Sequence, residues 1–324
     1  MFKLVRTLAA AAACIAMATP ALVQAAYPDR PVRLIVPYPP GASTDTIARL
    51  VAEHMSKTLG QPIVVENRGG ASGTIGSTTV AHAAPDGYTF GMGTDGSHAT
   101  SPHLMKAKPY DPIRDFTPIT MAVKNILVLV ANNDFPPKNV AELVTYAKEH
   151  PEQQLSYGSS GLASPHFLAG ALLGQMTDID FIHVPYKGGS QAVVDVLGGQ
   201  IPLAFSSMAT VEPQIRSGKL KALGVTERER YSGTPDIPAI AESLPGFEMD
   251  SWLAFFGPAN MNPEALEKLN SALVAAINDP AIREQLLAAG MVPVANSPRE
   301  FAEILKADVA KRGKLIQEAG IEPQ

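Results

Sequence analysis

Short apolar runs alternate with stretches whose apolar residues return every three or four positions. Residues 32–36 (VRLIV) read as a buried strand. Ile47, Leu50, Val51, His54 and Met55 then share one face of a helix reaching residue 59. Ser43 or Thr44 is placed to cap that helix and Gly60 to end it. Further strands are expected at 63–65 and 88–92, with a helix near 74–83 between them and a Pro85-Asp86-Gly87 turn before the third strand. Such β-α alternation predicts a parallel, doubly wound sheet.

The pattern breaks in a Pro/Asp loop over 109–117, and a long extended run at 119–131 reads as a crossing into a second domain. There a helix is expected at 140–150, strands at 154–157, 181–184, 201–205 and 221–225, and a helix near 210–217. Residues 226–245 are charged and Pro-rich, a surface connection, and 247–256 reads as the return strand. Helices at 263–278, 281–289 and 298–318 then pack back on the first domain. The predicted fold is α/β in two domains joined by two crossing strands. Residues 27–123 with 249–324 form the discontinuous first domain, and 124–248 the second.

The strand-to-helix junctions carry the candidate chemistry. Tyr38-Pro39-Pro40-Gly41-Ala42-Ser43-Thr44-Asp45 joins the first strand to its helix with almost no side chain at its tip. A helix N-terminus presents unpaired N–H groups and partial positive charge, so it favours an anion. Glu66-Asn67-Arg68, with Gly73-Thr74-Ile75-Gly76, repeats this arrangement. So do Tyr157-Gly158-Ser159-Ser160-Gly161 with Ser164 and His166, and Val184-Pro185-Tyr186-Lys187-Gly188. Such junctions on both sides of a boundary predict a cleft between domains that offers helix ends to an acidic ligand.

Charge and composition narrow the classes. The 324 residues carry a formal charge of −5, which argues against nonspecific nucleic-acid binding but not against a small anion held by local dipoles. The first 26 residues read as a cleaved secretory signal. Lys3 and Arg6 precede an apolar run over 8–18, and small residues follow near Ala25 and Ala26. Losing Lys3 and Arg6 takes the charge from −5 to −7; with this signal and no other apolar run long enough to span a bilayer, a periplasmic location is expected. The single cysteine, Cys14, lies inside this segment in a poor lipidation context, so the mature chain has no thiol chemistry.

Several sharper motifs fail on context. Gly91-Met92-Gly93-Thr94-Asp95-Gly96 has dinucleotide-fingerprint spacing, but it follows a late strand and Pro102 interrupts the expected helix. It reads instead as a Gly-rich cleft loop from which Thr94, Ser97 and His98 can donate. Gly158-Ser159-Ser160-Gly161 lacks the register of a nucleophile elbow, so a hydrolase using Ser159 or Ser160 with His166 is the weaker reading. The seven histidines show no paired metal spacing, and neither metal nor cofactor is expected. His54 reads as a core histidine, Asp45 as a first-turn dipole and capping residue, and Trp252 and Phe255 as core. Lys187 and Arg68 are the cations nearest the expected cleft.

Taken in order, Val36-Pro37-Tyr38-Pro39-Pro40-Gly41 with Asp45, Glu66-Asn67-Arg68 with Gly73-Thr74-Ile75-Gly76, Tyr157-Gly158-Ser159-Ser160-Gly161, Val184-Pro185-Tyr186-Lys187-Gly188 and Leu197-Gly198-Gly199-Gln200 resemble the Bug/TctC family. These are periplasmic solute-binding proteins of tripartite tricarboxylate transporters. The resemblance spans the whole mature chain. It implies a type II-like periplasmic-binding-protein fold and a carboxylate held largely by main chain and water from the loops after Val36 and Tyr157. Membrane transporter subunits are the implied partners. The sequence departs from the family at Ala42 (commonly Gly), Ala171 (often Glu), Gln191 (often Pro), and Pro202 and Ser206 (often Asp), which weighs against an amino-acid ligand. The expectation is a non-enzymatic monomer that closes around a small organic carboxylate, a dicarboxylate by preference. Its candidate contacts are Tyr38, Pro40, Gly41, Ala42, Ser43, Asp45, Thr94, Ser97, His98, Ser159, Ser160, Ser164, His166 and Ser206. A secreted serine hydrolase and a sensory module for a receptor kinase are the alternatives.

Overall fold

The computed structural model describes residues 27–186 and 188–323. The expected signal segment at 1–26 and Lys187 lie outside the described residues. Eleven strands among these residues build two sheets, one in each lobe.

The first sheet has the order β11-β4-β10-β3-β1-β2. Here β1 is Val32–Val36, β2 Ile63–Asn67, β3 Thr89–Thr94, β4 Phe116–Asn125, β10 Trp252–Pro258 and β11 Met291–Pro293. β1 pairs parallel with β2 and β3, as the β-α alternation predicts. β10 is antiparallel to both neighbours and β11 to β4, so the sheet is mixed rather than wholly parallel. The reason is connectivity: β4 leaves for the second lobe and β10 returns from it, so the two run in opposite directions.

Helix α1 (Ser43–Leu59) covers this sheet by burying Ile47, Ala48, Val51, Ala52 and Met55, the face set by their spacing. Gly60 ends it in the left-handed region, its N–H reaching Ser56 O at 3.1 Å. At its start the N-cap is Ala42, without a side-chain cap, rather than Ser43 or Thr44. His54 is only half-buried.

The second sheet has the order β7-β6-β8-β5-β9, comprising β5 (Leu127–Asn132), β6 (Ser156–Ser159), β7 (Ile182–Pro185), β8 (Leu203–Ser207) and β9 (Leu220–Val225). The chain crosses between lobes at Ile126, and again after Met249. The two crossing segments are joined where Asn125 N–H donates to Ser251 O at 2.9 Å. Residues 226–245 are more than a surface connection. Thr226, Ala239 and Ile240 are buried, and Val225 bridges Ala239. The charged tip between them stays exposed.

The three closing helices are legible from their caps. Asn262-Pro263, Asp279-Pro280 and Ser297-Pro298 each place an N-cap acceptor before a proline whose missing N–H costs nothing in the first turn. Two of these helices, Pro263–Asn278 and Pro280–Ala288, pack on the first lobe. The third spans both lobes. Along it, Phe301 and Leu305 pack with Trp252 and Phe256, while Leu315 and Ile316 join the core of the second lobe. It therefore does not pack on the first lobe alone.

Candidate functional site

Between the lobes lies a cavity of about 380 Å³. Tyr38, Ala42, Ser43 and Thr44 of the β1–α1 junction form one wall. Gly41 adopts φ +83° there, and its N–H donates to Asp45 Oδ2 at 2.9 Å. Asp45 also accepts from Arg49 and Asn67, and the Arg49 bond above all holds its carboxyl down at about 2. Asp45 is thus a buried cap that shapes the loop, and Pro40, Gly41 and Asp45 do not face the cavity. Tyr38 Oη lies 3.1 Å from Thr94 Oγ1 and reaches Ser72 O, while burial pushes its hydroxyl up to about 12. Thr44 is 3 % exposed and its Oγ1 has no partner.

Thr94, Asp95 and Gly96 bring the end of β3 to the cavity. The expected Gly-rich loop is instead a wide helical turn over Gly96–Thr100, continued by a short helix at Ser101–Leu104. That turn points Ser97 and His98 into the core, so neither reaches the cavity. Ser97 Oγ accepts from Thr94 N–H at 3.0 Å. His98 stacks on Phe256 with ring centroids 4.0 Å apart, and burial pushes its imidazole down to about 3.

The second lobe contributes the N-termini of two helices, α5 (Pro165–Thr177) and α6 (Gly189–Leu197). Ser164 caps α5 by accepting from Phe167 N–H at 3.2 Å, and Ser160, Ser164, His166 and Gly188 all line the cavity. Ser160 Oγ and His166 Nδ1 lie 2.7 Å apart, leaving the buried Nε2 without a partner, and burial pushes this imidazole down to about 4. Ser159 turns away to His183 Nε2 at 2.6 Å. Ser206 is fully buried behind α6. A Cβ on Gly189 would stand 3.5 Å from its unpartnered Oγ.

Of the two Ser–His pairs in this lobe, Ser159–His183 does not lie on the cavity wall, whereas Ser160–His166 does. A working base needs a third group to orient it, and no acceptor meets the other imidazole nitrogen. Among the described residues no group of three or more His, Cys, Asp or Glu is placed to hold a metal ion. No described helix is long and apolar enough to cross a membrane.

A sequence profile of the tripartite tricarboxylate transporter family receptor, TctC, matches residues 47–321. The chain belongs to the TctC family. Among solved structures, it is similar to the periplasmic binding protein BugD, at 36 % identity and TM-score 0.81 over 92 % of this chain and 100 % of that one. Rpa4515 of R. palustris with adipate gives 34 % identity and TM-score 0.84, again over 92 % and 100 %. MatC of Rhodopseudomonas palustris with bound malate gives 33 % and 0.79, over 90 % and 100 %. TctC proteins are periplasmic binding proteins, and the two-lobe architecture of this chain is theirs.

Of the fourteen candidates from sequence, the fold brings Tyr38, Ala42, Ser43, Thr94, Ser160, Ser164 and His166 to one cavity. The other seven do not line it: Pro40 and Gly41 are exposed on the loop, and Asp45, Ser97, His98, Ser159 and Ser206 are buried away from it. Ala171 lies on α5 away from the cavity, and Arg68 is also off the wall, 3.6 Å from Glu66. Sequence reasoning missed Asp95 and Gly96, at the end of β3, and Asn125, Ser251 and Leu253, which the crossing segments carry to the cavity floor. The crossings themselves were legible and located that floor. The side chains on them carried no local motif.

Proposed function

We propose that this TctC protein captures an organic dicarboxylate between its lobes by closure and delivers it to the membrane subunits of a tripartite transporter, without chemical turnover. The supporting observation is the opposition of three helix N-termini across one cavity. That of α1 belongs to the first lobe and those of α5 and α6 to the second, with unpartnered Thr44 Oγ1 and His166 Nε2 beside them. Among the described residues no Lys or Arg lines the cavity, and the attraction that these residues offer comes from neutral donors and dipoles. A hydrogen bond to a charged group contributes about 1.5–3 kcal/mol, and a helix terminus adds up to about 2 kcal/mol in partly buried geometry. A two-ended anion uses both sets of donors, whereas a monoacid leaves one set to water.

Among the described residues of the wall an ammonium group finds no free carboxylate. The one acid on the wall, Asp95, already receives Ser251 and Arg312, and Ser206 is neutral. Adipate and malate, named with Rpa4515 and MatC, are both dicarboxylates. The mature protein acts as a periplasmic monomer, with 27–123 and 249–324 as one domain and 124–248 as the other.

The test is a calorimetric competition between matched pairs, succinate against aspartate and terephthalate against benzoate. The diacid is expected to bind at least about tenfold more tightly in each pair. Equal affinity for the amino acid or the monoacid in both pairs would reject the two-ended reading.

A further inference from the structure

A sealed charge cluster lies behind the cavity floor. Arg312, on the helix Pro298–Glu318 (α11), is 1 % exposed. Its Nη2 lies 3.3 Å from Asp95 Oδ2 and its Nε 3.2 Å from Asp308 Oδ1. The guanidinium also donates to Asp250 O and meets Met249 Sδ, and Asp308 accepts Trp252 Nε1 at 2.8 Å. Two carboxylates therefore share one guanidinium out of contact with water. With both acids ionised the cluster carries one net negative charge, and Asp95 is the member that reaches the cavity wall.

Every group facing Asp95 leaves that charge unbalanced. From α11 come Arg312 and Asp308. The crossing segment offers the neutral Ser251 hydroxyl, which donates to Asp95 Oδ1 at 3.3 Å. Gly96 contributes a backbone N–H. Tyr38, on the β1–α1 loop, keeps its proton because burial holds it up at about 12. His166, also on the cavity wall, is neutral, held down at about 4 by burial. An anion entering this cavity meets a second, buried anion with no cation on the wall among the described residues.

We propose that the cavity takes up its carboxylate ligand together with one proton, which binds the Asp95 carboxylate. The inference rests on the carboxylate reading above. The ligand arrives ionised, and solvent or buffer acid supplies the proton to an Asp95 oxygen. The cluster then becomes neutral: Arg312 stays paired with Asp308, and the new Asp95 O–H becomes a donor. Burial, opposed by Arg312, already holds Asp95 up at about 7, so protonation near neutrality needs only the added repulsion of the ligand. Affinity therefore falls as pH rises above that value, by up to about tenfold per pH unit, and levels off below it.

Titration calorimetry of the mature chain with adipate, and then malate, at pH 8 in phosphate and in Tris separates proton transfer from binding heat. About one proton is expected to enter per ligand, with Kd rising up to about tenfold between pH 8 and 9. Asp95→Asn, neutral at every pH, is expected to bind without proton uptake and with a flat profile from pH 6.5 to 9. Binding of the wild type without proton uptake across that range overturns the inference and leaves the carboxylate reading standing. Undiminished uptake in Asp95→Asn moves the proton to another group and also overturns it. Should that variant fail to fold, a wild-type proton count of zero still overturns the inference. Ser251→Ala, which removes one hydrogen bond to Asp95, is then expected to move the pH at which affinity begins to fall. An unmoved profile overturns the inference as well. Failure of adipate, malate and terephthalate all to bind overturns the carboxylate reading and this inference with it.

Discussion

Gly96 in the first lobe faces the carbonyl oxygen of Ala163 in the second so closely that a Cβ on Gly96 would stand 3.2 Å from that oxygen. The lobes touch here, at the cavity edge, with no side chain between them. Alanine needs a shift of a few tenths of an ångström, whereas valine adds methyl groups that the contact has no room for. Gly96→Val is expected to hold the lobes apart, weakening diacid binding at least about tenfold while leaving the fold intact. Calorimetry gives the first quantity and circular dichroism the second. Wild-type affinity in this variant would show that closure at Gly96 is not needed.

Thr44→Val separates stability from function. The Thr44 hydroxyl is buried and unpaired, and an unsatisfied buried polar group costs about 1–3 kcal/mol. Replacing it with a methyl of similar shape is expected to leave the protein equally stable or more stable by urea denaturation. The same change is expected to reduce diacid affinity, since it deletes a donor at the α1 terminus.

Gly41 tells a different story from the one its bareness suggests. A Cβ there would meet nothing within 4 Å, and the residue does not face the cavity, but its φ of +83° is a left-handed conformation. Gly41→Ala is expected to cost about 1–2 kcal/mol of stability through backbone strain. Any change in ligand affinity would follow from a displaced loop. Denaturant melts should therefore respond more than binding does.

Acid stability follows from opposed groups. Burial pushes His98 to about 3 and His166 and His183 to about 4, with His103 shifted in the same direction. A depressed histidine contributes stability above its unfolded value near 6.5, and loses it as pH falls through the folded value. Asp95 and Glu227, both pushed up to about 7 chiefly by burial, act in reverse. Their contribution is present below about pH 4 and lost as pH rises through 7. The histidines outnumber the acids, so the melting temperature is expected to fall modestly between pH 7 and 5. Asp95→Asn should steepen that fall. A melting temperature that rises on acidification over this range would contradict the balance.

The mature chain is expected to begin at Ala26 or Tyr27. Tyr27 is anchored, its hydroxyl donating to Gly87 O at 2.8 Å and its own carbonyl accepting Lys268 Nζ at 2.7 Å. Intact mass of the exported protein checks this, and a diacylglyceryl group on Cys14 would refute it.

How much of this was readable depends on how local each signal is. The α1 face and its Gly60 terminus follow from spacing and from one glycine, both contained within twenty residues. The closing helices follow from Asn, Asp or Ser standing before Pro. The turn after β3 was misread because Pro102 looked like an interruption. It sits instead at the start of the next helix, where no N–H is required. Asp95, Asn125 and Ser251 escaped for another reason: Asn125 and Ser251 meet across 126 residues, and Arg312 reaches Asp95 across 217. No window of sequence holds both partners. Ser97 and His98 had the right chemistry but stand just past the last wall residue, Gly96, where the helical turn directs them into the core.

The place of β10 in the first sheet governs the order in which the molecule can be completed. It lies between β3 and β4, yet it is supplied by residues 252–258, after the entire second sheet. A chain that folds from its N-terminus onward thus exposes β1, β2 and β3 with their central neighbour still missing. The second sheet, continuous from 127 to 225, has all its strands before β10 begins at Trp252. It can mature while the first waits, and the late arrival of β10 and α11 joins the sheet and couples the lobes in one final step. The apolar edge of β3 is thus open to misassociation from the completion of β3 until residues 252–258 arrive, an interval that spans the whole of the second sheet.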